Sequence, residues 1–204
     1  EYNTSEPRDY IVTISGKIPS LSSGDRTCIS EVIQWGNLDL RNLTISDYLL
    51  KQIPGDNYGS FSKLTYISFS GCESLEYIPE KLFQHTSNVA WFESTFYGCN
   101  SLKEIPKELF ENCNNATQFQ GTFESCSSLE SIPESLFHNC TKTELFLNTF
   151  KDCNSLKEIP ERLFENCNNA TQFEGTFESC SSLESIPESL FHNCTKTELF
   201  LNTF

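Results

Sequence analysis

The motif Leu-x-x-Ile-Pro begins at Leu50, Leu75, Leu102, Leu129, Leu156 and Leu183, in steps of 25, 27, 27, 27 and 27 residues. No other property constrains the fold as much as this period. A single coil of that length cannot bury its own apolar side, whereas stacked coils can share one continuous core. A longer repeat is superimposed. Residues 95–148 and 149–202 differ at only five positions: Tyr97/Lys151, Gly98/Asp152, Lys107/Glu161, Glu108/Arg162 and Gln120/Glu174. All five read as solvent positions. The unit of duplication is therefore 54 residues, holding two non-identical coils of 27.

Each coil divides again. Leu129–Pro133 is predicted to be a short strand that its proline ends, and Ser135–Cys140 a helical turn or short 3₁₀ stretch. Thr143–Leu147 reads as a second extended segment followed by a tight turn. No segment is long enough for a standalone helix. Before about residue 43 the period is absent. There Tyr10–Ile14 alternates like a strand, and the turn-rich SGKIPSLSSGD and then ISEVIQWGNLDL follow. The expected organisation is an N-terminal β cap over residues 1–42, covering the first coil's open edge, and a repeat array over 43–204. The expected class is α/β but strand-rich: a solenoid with a short parallel sheet and short helical or 3₁₀ turns. Thr203-Phe204 opens a further repeat, so the array is expected to be cut within a longer one, with an uncapped last coil available for self-association.

Composition sharpens the functional reading. Hydrophobic residues make up 37% of the chain, with 17 Phe, which suits a packed core. Met is absent, so the expectation is a trimmed chain whose secretion signal has been removed. No apolar run reaches the length of a membrane span. A net charge of −14 repels a phosphate backbone and excludes nucleic acid as a partner, and it also serves solubility.

The ten cysteines are not spaced for a metal site. Cys72, Cys99, Cys126, Cys153 and Cys180 recur every 27 residues, as do Cys113, Cys140, Cys167 and Cys194; only Cys28 stands apart. In stacked coils each series becomes a ladder of small buried side chains at about the ~4.8 Å strand spacing. That spacing also falls within reach of a disulfide, although in-register side chains point the same way and a bridge would strain the stack.

Catalytic patterns fade on the same ground. Glu130 and Glu134 recur as Glu184 and Glu188, and Lys103-Glu104 as Lys157-Glu158. A repeated charged surface offers no singular pocket in which two carboxylates could be held apart in pKa. His138 and His192 are repeat equivalents, and His85 lies one residue out of phase. No Ser-His-Asp, phosphate-loop or calcium-loop spacing is visible. The chain reads as a non-enzyme without a cofactor or metal.

One surface remains. Phe92, Phe119, Phe146, Phe173 and Phe200 recur in every coil and should point inward. Their flanks then face solvent by period-two alternation, which nominates Trp91, Leu145, Leu147, Leu199 and Leu201 as an apolar stripe on a binding face. The competing reading packs these leucines against a neighbouring turn or inverts the in/out assignment. A companion polar strip holds Tyr77, Lys103, Glu104, Glu130, Lys157, Glu158 and Glu184, suited to specificity. Asn-x-Ser/Thr sequons at Asn3, Asn42, Asn115, Asn139, Asn169 and Asn193 would predict glycan-coated turns in a eukaryotic protein and carry no message in a bacterial one.

The run TF-x-x-C-x-SL-x-x-IP-x-x-LF, with QWG at 34–36 ahead of the array, resembles the BspA-like leucine-rich-repeat surface proteins of gut and oral bacteria. The resemblance implies a right-handed solenoid with a parallel sheet on one face. It also implies an extracellular place on the bacterial surface, often through a lipid anchor added at a removed N-terminal signal, and adhesion to host matrix or other cells. The coil here is longer than that family's commoner one, and its strand motif ends in proline. The expected function is a binding module for an extracellular protein; a structural spacer is the second reading and a carbohydrate-binding protein the third.

Overall fold

The computed structural model describes residues 13–14, 16–23 and 29–204. Most of the strand expected at Tyr10–Ile14 lies outside the described residues, as do Asn3 and Cys28.

Three strands of three residues each form one parallel sheet: β1 (Ser20–Ser22), β2 (Asn42–Thr44) and β3 (Tyr66–Ser68), in that spatial order. Leu21, Leu43 and Ile67 share one register position, and Leu43 and Ile67 are fully buried there. The sheet thus includes β1 ahead of the repeats, and a boundary at 42/43 falls inside β2. From Trp91 onward the column shrinks to single parallel bridges, Trp91 to Gln118 to Leu145 to Gln172 to Leu199.

The cause of that shrinkage is local. In β3 only Ser68 separates Ile67 from Phe69, whereas in the next coil three residues separate Phe92 from Phe96. The two added residues turn the 25-residue step into one of 27. They create a position with φ near +55° that recurs at Ser94, Gly121, Asn148, Gly175 and Asn202, and the left-handed residue swings the chain off the strand after one rung. A second such position recurs at Gly71, Gly98, Ser125, Asp152 and Ser179. Pairing with the next coil nevertheless continues through both turns. Phe119, Gly121, Phe123 and Ser125 donate their N–H groups to the carbonyls of Leu145, Leu147, Thr149 and Lys151 at 2.8–2.9 Å. Every coil is therefore stitched to the next without a long strand.

Two expectations are corrected here. Leu129–Pro133 is not a strand: its tie to the preceding coil is the Glu130 N–H on Lys103 O at 3.1 Å, and the Pro133 carbonyl is already committed to Leu136 N–H in a turn. Ser135–Cys140 is a chain of separate i→i+3 turns, closed at His138 on Ser135 and Cys140 on Phe137, and not a helical stretch. No helix occurs among the described residues, so the α component of the expected class is absent from them. The extended segment Thr143–Leu147 is likewise reduced to one bridged residue, Leu145, because the turn at Asn148 follows at once.

The core is built from three columns of phenylalanine. Phe92, Phe119, Phe146, Phe173 and Phe200 stack at 5.3–5.8 Å with ring planes 6–8° apart. A second column runs through Phe69, Phe96, Phe123, Phe150, Phe177 and Phe204, and a third through Phe83, Phe110, Phe137, Phe164 and Phe191. Rings of different columns meet edge-on or tilted at 4.7–6.4 Å, the geometry that the aromatic quadrupole favours. Trp35 begins the second column, 6.3 Å from Phe69, while its indole N–H donates to Pro54 O at 2.7 Å. Its ring is tilted by 51° to Phe69 and lies closer to Phe61, at 5.2 Å.

Polar groups inside the coils are paired to the coil before. Thr122, Thr149 and Thr176 are fully buried, and each hydroxyl lies within 2.7–3.0 Å of two phenylalanine carbonyls, one in its own coil and one 30 residues earlier. The thiols of Cys99, Cys126, Cys153 and Cys180 face the carbonyls of Phe69, Phe96, Phe123 and Phe150 at 3.1–3.4 Å. Among the described residues nine cysteines are free and buried. Burial pushes the thiols up: Cys72, Cys180 and Cys194 to about 11 and Cys113 to about 12.

Candidate binding face

The in/out assignment can be read residue by residue. Phe92, Phe119, Phe146 and Phe173 are fully buried, and their neighbours on the ladder point away from the core. Trp91 is 55% exposed, Leu199 43% and Leu201 60%, while Leu145 and Leu147 are half-buried. The outward residue of each rung is therefore Trp91, Gln118, Leu145, Gln172 or Leu199, with Tyr66 one coil earlier in β3. Past each buried phenylalanine the turn presents Glu93, Gln120, Leu147, Glu174 or Leu201.

The polar strip lies elsewhere in the coil, after the cysteine turn. Lys103, Glu104, Glu130, Lys157, Glu158 and Glu184 are all exposed, and Lys157 Nζ lies 3.6 Å from Glu130 Oε2. Tyr77 is exposed and its hydroxyl meets Gln52 Oε1 at 3.1 Å. Chain segments 94–99 and 107–116 separate this strip from the apolar one, so the two sets form two rows along the array, not one site.

Sequence reasoning missed a charged ladder beside the first row. Tyr97, Glu124, Lys151 and Glu178 occupy equivalent positions in successive coils. Lys151 Nζ sits 2.9 Å from Glu178 Oε2, and that hydrogen bond raises the lysine's affinity for its proton. Burial raises the Glu124 carboxyl, an effect that Lys151 opposes and Asp152 and Glu178 reinforce. The Tyr97/Lys151 exchange between the two 54-residue units is thereby explained: a cation stands where glutamates flank it on both sides. Its partner exchange corrects an expectation. Gly98 is buried, not a solvent position, while its counterpart Asp152 is half-buried.

The sequons also have a structural use. Asn115, Asn139, Asn169 and Asn193 donate Nδ2–H to the carbonyls of Ser87, Glu111, Thr141 and Glu165 at 2.8–2.9 Å, and Asn88 and Asn166 do the same outside any sequon. They are rungs of asparagine ladders, and only a periodicity count of asparagine would have found them. One titratable pair is singular: the buried Asp56 carboxylate accepts from Ser60 and Phe61 N–H and meets His85 Nδ1 at 3.1 Å. The Ser60 hydroxyl is itself buried and bonded to neither, and the Asp56–His85 pair fastens the loop to the next coil. Among the described residues no group of three or more His, Cys, Asp or Glu converges as a metal site, and no helix is long and apolar enough to cross a membrane.

Comparison with known proteins agrees with this architecture. The chain is similar to Toll from Drosophila, in its complex with Spatzle, with a TM-score of 0.58, 20% identity and 75% of this chain covered. It spans only 20% of the Toll chain, and the likeness shows the fold alone. Alignments also exist to the leucine-rich repeat protein of T. pallidum (19% identity, 90% and 79% of the two chains, TM-score 0.29) and to a leucine-rich cell surface protein of Faecalibacterium prausnitzii (20%, 85% and 76%, 0.21). No curated protein sequence matches. The profile described as "BspA type Leucine rich repeat region" matches residues 34–198 in six copies, and the chain belongs to that leucine-rich repeat family.

Proposed function

We propose that the chain is a non-catalytic adhesion module of a bacterial cell surface, a right-handed solenoid that holds an extracellular host or microbial protein on its ladder face. The observation that carries this reading is the row from Trp91 to Leu199, one outward side chain per coil on an unbroken parallel ladder. Identical buried columns keep the coils in register, so the surface lengthens by copying without redesign of the core. Leucine-rich repeat proteins usually mediate protein binding or adhesion, an exposed Trp is a side chain that anchors interfaces, and the leucines beside it extend the apolar row. The polar row from Lys103 to Glu184 supplies charge pattern for discrimination, not affinity.

The test is capture of matrix proteins, mucins and glycans by the purified monomer, compared with the Leu145→Ser/Leu199→Ser double variant. A saturable protein ligand that the folded variant loses supports the reading. A ligand bound equally by both moves the site off this ladder, a glycan ligand favours carbohydrate binding, and no ligand at all favours a spacer.

A further inference from the structure

The ladder face carries a second period, and the turn that follows each rung carries the same one. The apolar rungs Trp91, Leu145 and Leu199 are followed by Ser94, Asn148 and Asn202 at the first left-handed position. The amide rungs Gln118 and Gln172 are followed there by Gly121 and Gly175. All five turn residues have φ between +51° and +61°, so backbone shape does not separate the two kinds of coil. The side chain does. A methyl group on Gly175 would overlap Oδ1 of Asn148 in the coil before and lie 3.3 Å from its Cγ. At Gly121 the Ser94 Oγ of the coil before would stand 3.4 Å from such a methyl. The Cβ that each glycine lacks is thus the space into which the preceding coil extends its turn side chain.

A second contact runs in the same direction. Three residues on, the glycine coils carry Glu124 and Glu178, and the coils before them carry Tyr97 and Lys151. Lys151 Nζ reaches forward to Glu178 Oε2 at 2.9 Å. Asn148 and Lys151 therefore engage the next coil together, at Gly175 and Glu178. Copying alone does not explain the match, because Ser94 lies before residue 95, where the duplicated block begins, and it still faces a glycine.

We propose that these turns form a knob and socket that fix the order of the coils: a coil with a side chain at the first turn position is followed by a coil with glycine there, so successive apolar rungs are parted by an amide. The device acts inside the fold and stands whether or not the face binds a protein. Thermal melts of full-length variants test it. Gly121→Ala and Gly175→Ala carry the same left-handed strain, but only the second must displace Asn148, so it should melt at least about 2 °C lower than the first. Asn148→Gly empties the socket, and in that background Gly175→Ala should cost no more than Gly121→Ala does in the unaltered chain. Gly121→Asn sets a knob against the Cβ of Asn148. Asparagine accepts the left-handed backbone, so the expected drop of at least about 3 °C reports packing, and adding Asn148→Gly should recover most of it. Equal melting of the two alanine variants overturns the proposal, as does a loss at Gly175 that Asn148→Gly leaves intact. So does a Gly121→Asn chain that melts like the unaltered one. If Gly175→Ala alone does not fold, the Asn148→Gly/Gly175→Ala chain still should, and its failure to fold would count against the socket as well.

Discussion

Phe137→Ala is the sharpest test of the stacked columns. The ring is fully buried, stacks at 5.9 Å on Phe110 and Phe164 of the coils on either side, and meets Phe119 and Phe146 of the neighbouring column at 4.7 and 4.9 Å. Phe→Ala at a buried site costs about 3–5 kcal/mol, and well-oriented ring pairs add about 0.5–1.5 kcal/mol beyond burial. Rigid rings on every side leave little room for the gap to close, so the expected loss lies near about 4 kcal/mol. For a domain of this size that lowers the melting temperature by roughly 8–16 °C. Phe204→Ala is the internal control: its ring is 48% exposed and the expected loss is below about 1 kcal/mol. Because each coil touches only its neighbours, the interior variant should also unfold less cooperatively, with a smaller urea m-value as the two halves uncouple. Urea titration of both variants by near-ultraviolet circular dichroism reads this out. A loss under about 1.5 kcal/mol at Phe137, or equal losses at both sites, would refute the view that the aromatic columns carry the stability.

The other predictions address the turns, the thiols and the charged ladder. Ser125, with φ of +62°, occupies a place where Gly71 and Gly98 stand in earlier coils, so Ser125→Gly should stabilise by up to about 1 kcal/mol in thermal melts. Gly175→Ala should destabilise by more than that, because the new methyl would meet the Asn148 side chain; a neutral result would sink the assignment of these turns. Thiol labelling at pH 8 should reach Cys194 and Cys180 before Cys99 or Cys126, since the first two are less deeply buried and have thiols near 11, which leaves about one in 10³ as thiolate. Uniform rates across the series, read by peptide mass mapping, would contradict the buried columns. The Glu124 carboxyl is raised above its unfolded value, so the folded chain holds that proton more tightly and ionisation disfavours the fold above the folded pKa. Glu124→Gln should therefore stabilise slightly at pH 7–8, by under about 1 kcal/mol after solvent screening, with the gain vanishing below about pH 4. A gain that instead grows at low pH would reverse the sign of this coupling.

Most of the packing code was legible because periodicity alone identifies it. The Leu-x-x-Ile-Pro leucines, the phenylalanine columns and both cysteine series recur at one period, and each such position is buried through the middle of the array. The secondary structure was less legible. A propensity reading of Thr143–Leu147 sees β-formers, but the backbone sign at Asn148 decides how far the strand runs, and asparagine, serine and glycine all fill that role in different coils. Ser135–Cys140 has the composition of a helical turn, yet its bonds close as isolated turns, with the serines and asparagines turned to the preceding coil. The asparagine ladders were hidden for another reason: four of the six named members coincide with sequons, which already assign those asparagines a different role.

The two-coil period of the ladder face could arise from duplication alone, since copying a 54-residue unit copies whatever its two coils display. Leu145 and Leu199 are such copies. Trp91 is not: it lies before residue 95, where the duplicated block begins, in a coil with its own sequence. It still holds the rung that the period assigns to an apolar residue, and it is more exposed than Leu199. Duplication accounts for two of the three apolar rungs, and Trp91 arose separately from them. Trp91→Gln should leave thermal stability unchanged within about 0.5 kcal/mol, as a surface substitution does, while weakening capture of a protein ligand on the ladder face. If stability falls by more than about 1 kcal/mol, the indole is packing against its own coil and the third rung is structural.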